Sequence, residues 1–583
     1  MREDHSLSTK RTGTQVLALL VGSTLALSAC ATGSGGGSGE AGSATSAPIT
    51  ITWGYAQEFS GYNMNVSGSV SLANKVVLNQ VQRGFVYFAA DGTIAHDKDF
   101  GTFEKTSDSP LTVKYHINPE AVWSDGKPVQ CDDVVLTWLA GSNLTGGKGF
   151  NAASTTGYEQ MNAPACKVGD KDFTVTYKEP FADWEALFNW TSILPAHVVE
   201  AQAGLTKTFV DYAATPTSPD LAKAIDFYNK GWAFNPGQLK KDIIPSSGPY
   251  TIDSWTGTQS LTLKANPKWW GTPAKAQTIV IRYIADDAQA QALQNGEINI
   301  MEPQPQVDIV NQLKKQGDKV KVQSGDQFSF EHLDFNFKGA FADKRLREAF
   351  ALCVPRQEIV NNLIVPQNPN AKILQSRFIY PFQPQYEDFA SSVGGTVYDT
   401  VNLAKAKQLV TAAGKTGLTV KIGWRKNPTA PNKRRADTVA LVKASCGQAG
   451  FNVVDAGTDT FFEKELPNGN FDVALYAWIG SPLVTANAPI YQTKTGGKGG
   501  QNNGQYSNPT VDKDLDSLNK ELDKDKQLAL LKKIDTQLWT DLATIPLFAF
   551  PNLVATDSKV ENVTMNTTQQ DLTWNAQEWS LKQ

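Results

Sequence analysis

Histidine is scarce in this chain, with five in 583 residues. His5, His96, His116, His197 and His332 stand apart, and no pair has the spacing that places two imidazoles on one helix face. There is no C-x-x-C either, so neither a metal site nor a cofactor is expected. Cysteine is equally sparse, five residues, which excludes a small disulfide-built scaffold. Charge of one sign is missing: 54 Lys plus Arg against 58 Asp plus Glu leave −4, no field to draw nucleic acid. No G-x-S-x-G elbow occurs. Gly414-Lys415-Thr416 resembles the tail of a phosphate loop, but the first glycine that motif requires is Leu409. Asp132-Asp133 are adjacent, so on a helix their carboxylates diverge, and they mark a helix start before Val134. Nothing here assembles an enzyme, and none is expected. No apolar run reaches the ~20 residues of a membrane span. What remains is 41% hydrophobic residues, too many for a disordered chain and enough for several lobes.

The N-terminus carries an export signal. Arg2, Lys10 and Arg11 precede an apolar run from Val16 to Leu27, the length of a secretory h-region. Leu27-Ser28-Ala29-Cys30 resembles a bacterial lipobox, predicting a signal peptide over 1–29 and a lipid on Cys30. The Gly/Ser-rich stretch to residue 47 completes a flexible tether over 30–47. The expected location is the extracytoplasmic face of the cell membrane. Outside the cytoplasm the other four cysteines suggest disulfides. Three pairings are possible; Cys131–Cys166 and Cys353–Cys446 are preferred because each stays within one lobe, with buried free thiols the alternative.

Period-two alternation predicts strands over 49–55, 111–117, 173–177, 250–255, 259–264 and 277–284. A helix over Asp286–Gln294 ends at Asn295-Gly296, and strand 298–300 follows. Further on, Asn402 starts a helix that Gly414 stops. Strand 418–424, a helix over 433–448, strand 451–455, a short helix near 459–466 and strand 471–478 follow. This alternation predicts an α/β unit with a parallel sheet. Ligands in such sheets sit beyond the carboxyl ends of strands. Here those ends are Trp424-Arg425, Asp455 to Gly457, and Tyr476 to Ser481.

Six ordered motifs then carry a resemblance. They are Trp123-Ser-Asp-Gly-Lys-Pro128 with Asp132-Asp-Val-Val-Leu-Thr137, Ser247-Gly-Pro-Tyr250, Asn266-Pro-Lys-Trp-Trp-Gly271, Ala292-Leu-Gln-Asn-Gly-Glu-Ile298, Leu333-Asp-Phe-Asn336 with Phe341 to Ala349, and Phe471-Asp472 to Trp478. Together they resemble the solute-binding proteins of bacterial ABC transporters, family 5, which include oligopeptide and dipeptide receptors. The resemblance implies a two-lobed periplasmic-binding-protein-like α/β fold with a hinge and an extra domain inserted in lobe I. Lobe I would comprise 48–88, 246–331 and 542–583, the insert 89–245, and lobe II 332–541. It also implies a monomer that encloses an oligopeptide by hinge closure and hands it to a membrane permease. An oligosaccharide receptor of the same family is the alternative, and a signalling or adhesion lipoprotein or a secreted hydrolase are readings of other classes.

The resemblance also implies an Asp shortly after the late Trp that pairs with a peptide's amino group. Here Trp478-Ile-Gly-Ser481 has none, so either another acid, Glu58 or Asp455, replaces it or the ligand is not a free-amine peptide. Candidate ligand-binding residues are Tyr55, Glu58, Phe59 and Tyr62 after the first strand, Asn336 near the lobe crossing, Trp424 and Arg425, then Tyr476, Trp478 and Ser481, and Tyr506 with Asn508. The Gly-rich stretch 494–504 is a candidate lip over the cleft, and Trp269 and Trp270 are assigned to packing.

Overall fold

The computed structural model describes residues 48–145, 149–426, 432–568 and 572–582. The signal peptide, Cys30 and the tether lie outside the described residues.

Of the seventeen strands among the described residues, thirteen build the two larger sheets. They are β1 (Thr50–Tyr55), β2 (Gly101–Asp108), β3 (Leu111–Ile117), β4 (Asp172–Thr176), β5 (Tyr250–Thr256), β6 (Ser260–Ala265), β7 (Thr278–Tyr283), β8 (Ile300–Met301), β9 (Val320–Phe335), β10 (Leu418–Gly423), β11 (Phe451–Asp455), β12 (Val473–Ile479) and β13 (Thr544–Asp557). Ten of them form one sheet, in the order β11-β10-β12-β9-β13-β8-β1-β7-β6-β5. The strands β2, β3 and β4 form a separate three-stranded sheet within the inserted segment. Local chemistry sets the ends of the helices. Asn402 and Asn432 cap Leu403–Ala412 and Lys433–Gln448, accepting from the Lys405 and Arg435 backbone N–H groups. Gly414 and Gly450 follow these helices at φ +66° and +98°, which side chains with a Cβ disfavour. β10 pairs in parallel with β11 and with β12, as the alternating pattern implies.

The two longest strands, β9 and β13, run antiparallel and serve both lobes. Their register shifts between Asp326 and Phe330, where Pro551 and Ala549 stand opposite, and again at His332, opposite Pro546. Proline cannot donate to a ladder, so each proline marks a break where the paired strands bend. One core includes Trp53, Trp138, Tyr177, Ile281 and Trp579; a second runs from Phe328 to Phe550. The fold is therefore two-lobed, and the inserted segment shares the core of the first lobe. Residues 543–550 pack in the second core, so the return crossing lies past the expected boundary at 541/542. Disulfides join Cys131 to Cys166 in the first core region and Cys353 to Cys446 in the second.

Carboxyl groups buried in the inserted segment make stability depend on pH. Asp133 accepts from the backbone N–H of Gln130 and Ala196 at 2.9 and 2.7 Å, yet burial pushes its pKa up to about 7. Burial and then the neighbouring Asp132 push Glu200 up to about 8. Both groups lie above their ordinary values in the fold, so the folded protein holds protons that the unfolded chain has released. Stability is then greatest below the ordinary carboxyl range and is lost as pH rises toward 8. The melting temperature is expected to be higher at pH 5 than at pH 8, and Asp133→Asn should flatten that slope in pH-stepped calorimetry.

Candidate functional site

The loops that follow β1 and β12 meet at one cavity. It measures about 420 Å³ and is lined by Asn65 after β1, by Thr137, Asp183 and Tyr228 of the inserted segment, and by Leu483 and Thr485 after β12. Such a volume falls within the range of small-ligand sites. Asp183, 4% exposed, crosses between the lobes. Its carboxylate accepts from the Val484 and Thr485 backbone N–H groups at 3.2 and 2.8 Å and from the Thr485 hydroxyl at 2.6 Å. Burial raises its pKa, against the opposing effect of these three donors. Beside it the Ala182 N–H donates to the Asn519 carbonyl at 2.9 Å, and Lys520 pairs with Glu179 at 2.6 Å. The inserted segment is thus docked on the second lobe beside the cavity.

Behind the loop 480–485, the end of β12 meets a buried polar cluster. The Tyr476 phenol donates to Asp334 at 2.6 Å, and burial drives its pKa well up. His332, which looked isolated in the sequence, is fully buried and lies 3.3 Å from the same Asp334. The Trp478 ring lies parallel to the imidazole at 5.9 Å. The Gly480 N–H donates to the Phe328 carbonyl at 2.6 Å, tying this loop to the crossing strand β9. A Cβ on Gly480 would fall 2.4 Å from the Tyr380 hydroxyl and 2.9 Å from the Phe328 carbonyl oxygen. Gly480→Ala is therefore expected to cost about 1–3 kcal/mol as an overpacking substitution. The check is a lower melting temperature together with weaker solute retention.

The candidate residues separate into groups. Tyr55, Phe59 and Tyr62 are core: Tyr55 packs on Trp53, Phe59 on Trp255, and Tyr62 on Trp232 while its phenol donates to the Pro245 carbonyl. Glu58 is half-buried and does not line the cavity. Asn336 clasps its own lobe, donating to the Gly469 and Phe471 carbonyls. Trp424 is buried and donates to Asp455 at 2.8 Å, which also accepts from the Gly457 N–H, so this acid is already engaged. Arg425 is paired with Glu463 at 2.5 Å. Tyr506 and Asn508 both donate to Asp541, each at 2.7 Å. These side chains satisfy one another because strand ends need polar closure as much as ligands do. Tyr476, Trp478 and Ser481 stand apart from the rest, leading into the loop that lines the cavity. The Ser481 hydroxyl accepts from the Leu483 N–H at 3.1 Å. The Gly-rich stretch is tied down: Asn502 donates to the Gln492 and Tyr506 carbonyls and Lys498 pairs with Asp516. Asp183 escaped the sequence reading. Its only local signal is an acid set between Phe181 and Trp184, and its partners lie about 300 residues away in the chain.

Among the described residues no helix is long and apolar enough to cross a membrane, and no cluster of His, Cys, Asp and Glu is arranged to hold a metal. Comparison with known proteins agrees with the fold. A lipoprotein of Mycobacterium tuberculosis (strain ATCC 25618 / H37Rv) is 30% identical over 537 residues, covering 89% of this chain and 91% of its own. The oligopeptide-binding protein OppA of the same organism is 25% identical over 523 residues, covering 86% and 79%. The periplasmic EDTA-binding protein EppA shares the fold with a TM-score of 0.79 at 21% identity, covering 93% of this chain and all of that one. Residues 95–500 match the middle region of the bacterial extracellular solute-binding proteins, family 5, and the chain belongs to that family.

Proposed function

We propose that the chain is the extracytoplasmic receptor of an ABC importer, held to the membrane by a lipid on Cys30, and that it encloses oligopeptides in the cavity between its lobes. The observation that carries this reading is the cavity itself, walled by residues of both lobes and flanked by the docked inserted segment. Closure removes the solute from water without any bond being made or broken, so no catalytic group is required. The late-tryptophan loop, with Trp478 and Ser481, would contribute main-chain groups to an extended ligand. Among the described lining residues there is no Lys, Arg or His. An anionic metal chelate, such as the ligand named for EppA, would therefore meet no opposite charge in this wall.

Native mass spectrometry of residues 31–583, purified under mild conditions, tests the reading. Peptide masses released on activation are the expected result; hexose-spaced adducts would replace peptides with oligosaccharides. Added peptide at ~100 times its dissociation constant should stabilise the protein by about 2.7 kcal/mol, read as a thermal shift. No shift with any peptide pool would refute the peptide assignment.

A further inference from the structure

Asp183 combines two properties in the wall of this cavity. It is buried, and it is the only Asp, Glu, Lys, Arg or His among the described residues that line the cavity. Its three donors are all neutral: two backbone N–H groups and one hydroxyl. Among cations, Lys524 acts on Asp183 through space without a hydrogen bond and lies 4.0 Å from Glu185, while Lys520 pairs with Glu179 at 2.6 Å. A carboxylate offers about four acceptor positions, and three are used here. Two donors fall on Oδ2 and one on Oδ1, so Oδ1 retains a position. A buried charge whose hydrogen bonds all come from neutral groups is costly, and a cation in direct contact removes most of that cost.

We propose that Asp183 is the counter-charge for a cationic group of the captured solute, an ammonium or guanidinium seated in this cavity. The inference rests on the cavity being the solute site. It assigns to the inserted segment the role that the missing acid after Trp478 leaves open, and it joins recognition to closure. The same carboxylate that meets the cation holds Val484 and Thr485 of the other lobe. A cation in the cavity stabilises the ionised carboxylate, and the ionised carboxylate is the form that accepts from all three donors. A neutral solute of the same shape would leave the charge buried and the closed form less favoured.

The test compares two defined pools on the wild-type protein: pentapeptides with free amino termini and the same pentapeptides N-acetylated, both lacking Lys, Arg and His. Free-amine peptides should bind about tenfold tighter or more, the range of a charge-assisted hydrogen bond in a buried site. Asp183→Asn keeps the shape and removes the charge, and the ratio between the pools should fall toward one. Thr485→Val removes one latch donor and keeps the charge, so both pools should weaken while the ratio survives. Equal binding of the pools by the wild type, or an unchanged ratio in Asp183→Asn, would overturn the proposal, and the first of these needs no variant to fold. If neither pool binds, the peptide reading fails by itself. Free arginine and spermidine then decide the charge: stabilisation by them in the wild type and not in Asp183→Asn supports the proposal, and no stabilisation refutes it.

Discussion

Asp535→Ala is expected to lower the melting temperature of the second lobe by about 10 °C. Asp535, in the helix Lys524–Asp541, and Arg377 are both fully buried and meet at 2.6 Å. The guanidinium also donates to the Thr544 hydroxyl and carbonyl, both at 2.6 Å, and lies over the Trp539 ring at 4.5 Å. Three elements therefore converge on one cation: the helix, the segment around Arg377, and the start of β13. Removing the carboxylate leaves a positive charge buried without compensation, which costs about 3–5 kcal/mol. Each kcal/mol moves the melting temperature of a unit of this size by about 2–4 °C. The exposed pair Lys520–Glu179 provides the contrast, since Lys520→Ala should change stability by less than about 1 kcal/mol. The double variant Arg377→Met, Asp535→Leu should recover much of the loss, because apolar side chains of similar size need no partner. Calorimetry of the four proteins checks the cycle, and equal losses in the single and double variants would show that packing, not charge, sets the cost.

Loss of the Cys353–Cys446 disulfide is the second large effect. It closes a loop with a sequence separation of 93, for which chain entropy alone predicts about 4–5 kcal/mol. The Cys131–Cys166 bridge, with a separation of 35, should be worth somewhat less, about 4 kcal/mol on the same basis. Each bridge sits with one of the two cores, so Cys353→Ser with Cys446→Ser should lower the second lobe's transition and leave the first nearly in place. Urea titration followed by probes in each lobe reads this directly. A single transition that falls as a whole would show that the lobes unfold together.

Where residue chemistry acts locally, the sequence was legible. Asn402 and Gly414 bound their helix as read, because a cap needs only neighbours. The parallel unit of β10, β11 and β12 was visible because its strands alternate with helices. The long strands β9 and β13 were not. Residues 544–556 of β13 are buried throughout, so no alternation exists to read, and Pro546 and Pro551 argue against a central strand. Both prolines sit at register breaks, a tertiary fact. The candidate residues were chosen as aromatic and polar groups at strand ends. That rule found Trp478 and its loop, but it also collected Tyr62, Trp424 and Tyr506, whose polar atoms are bound by their own chain. Asp183 is set by a contact between segments that no local pattern links.

The two cores also differ in how much of the chain each must wait for. The second is built from one uninterrupted stretch, Phe328 to Phe550. The first needs both ends: Trp53 of β1 meets Trp579 edge-on at 6.2 Å, and the Gln80 side chain reaches the Thr573 carbonyl. As the polypeptide folds from its N-terminus onward, the later lobe has all its parts before the earlier one does. The first lobe must stay open along the seam that Trp579 fills until the last residues arrive. A chain truncated before Leu572 would keep a complete second lobe and an unfinished first, and quality control would meet it as a half-folded protein.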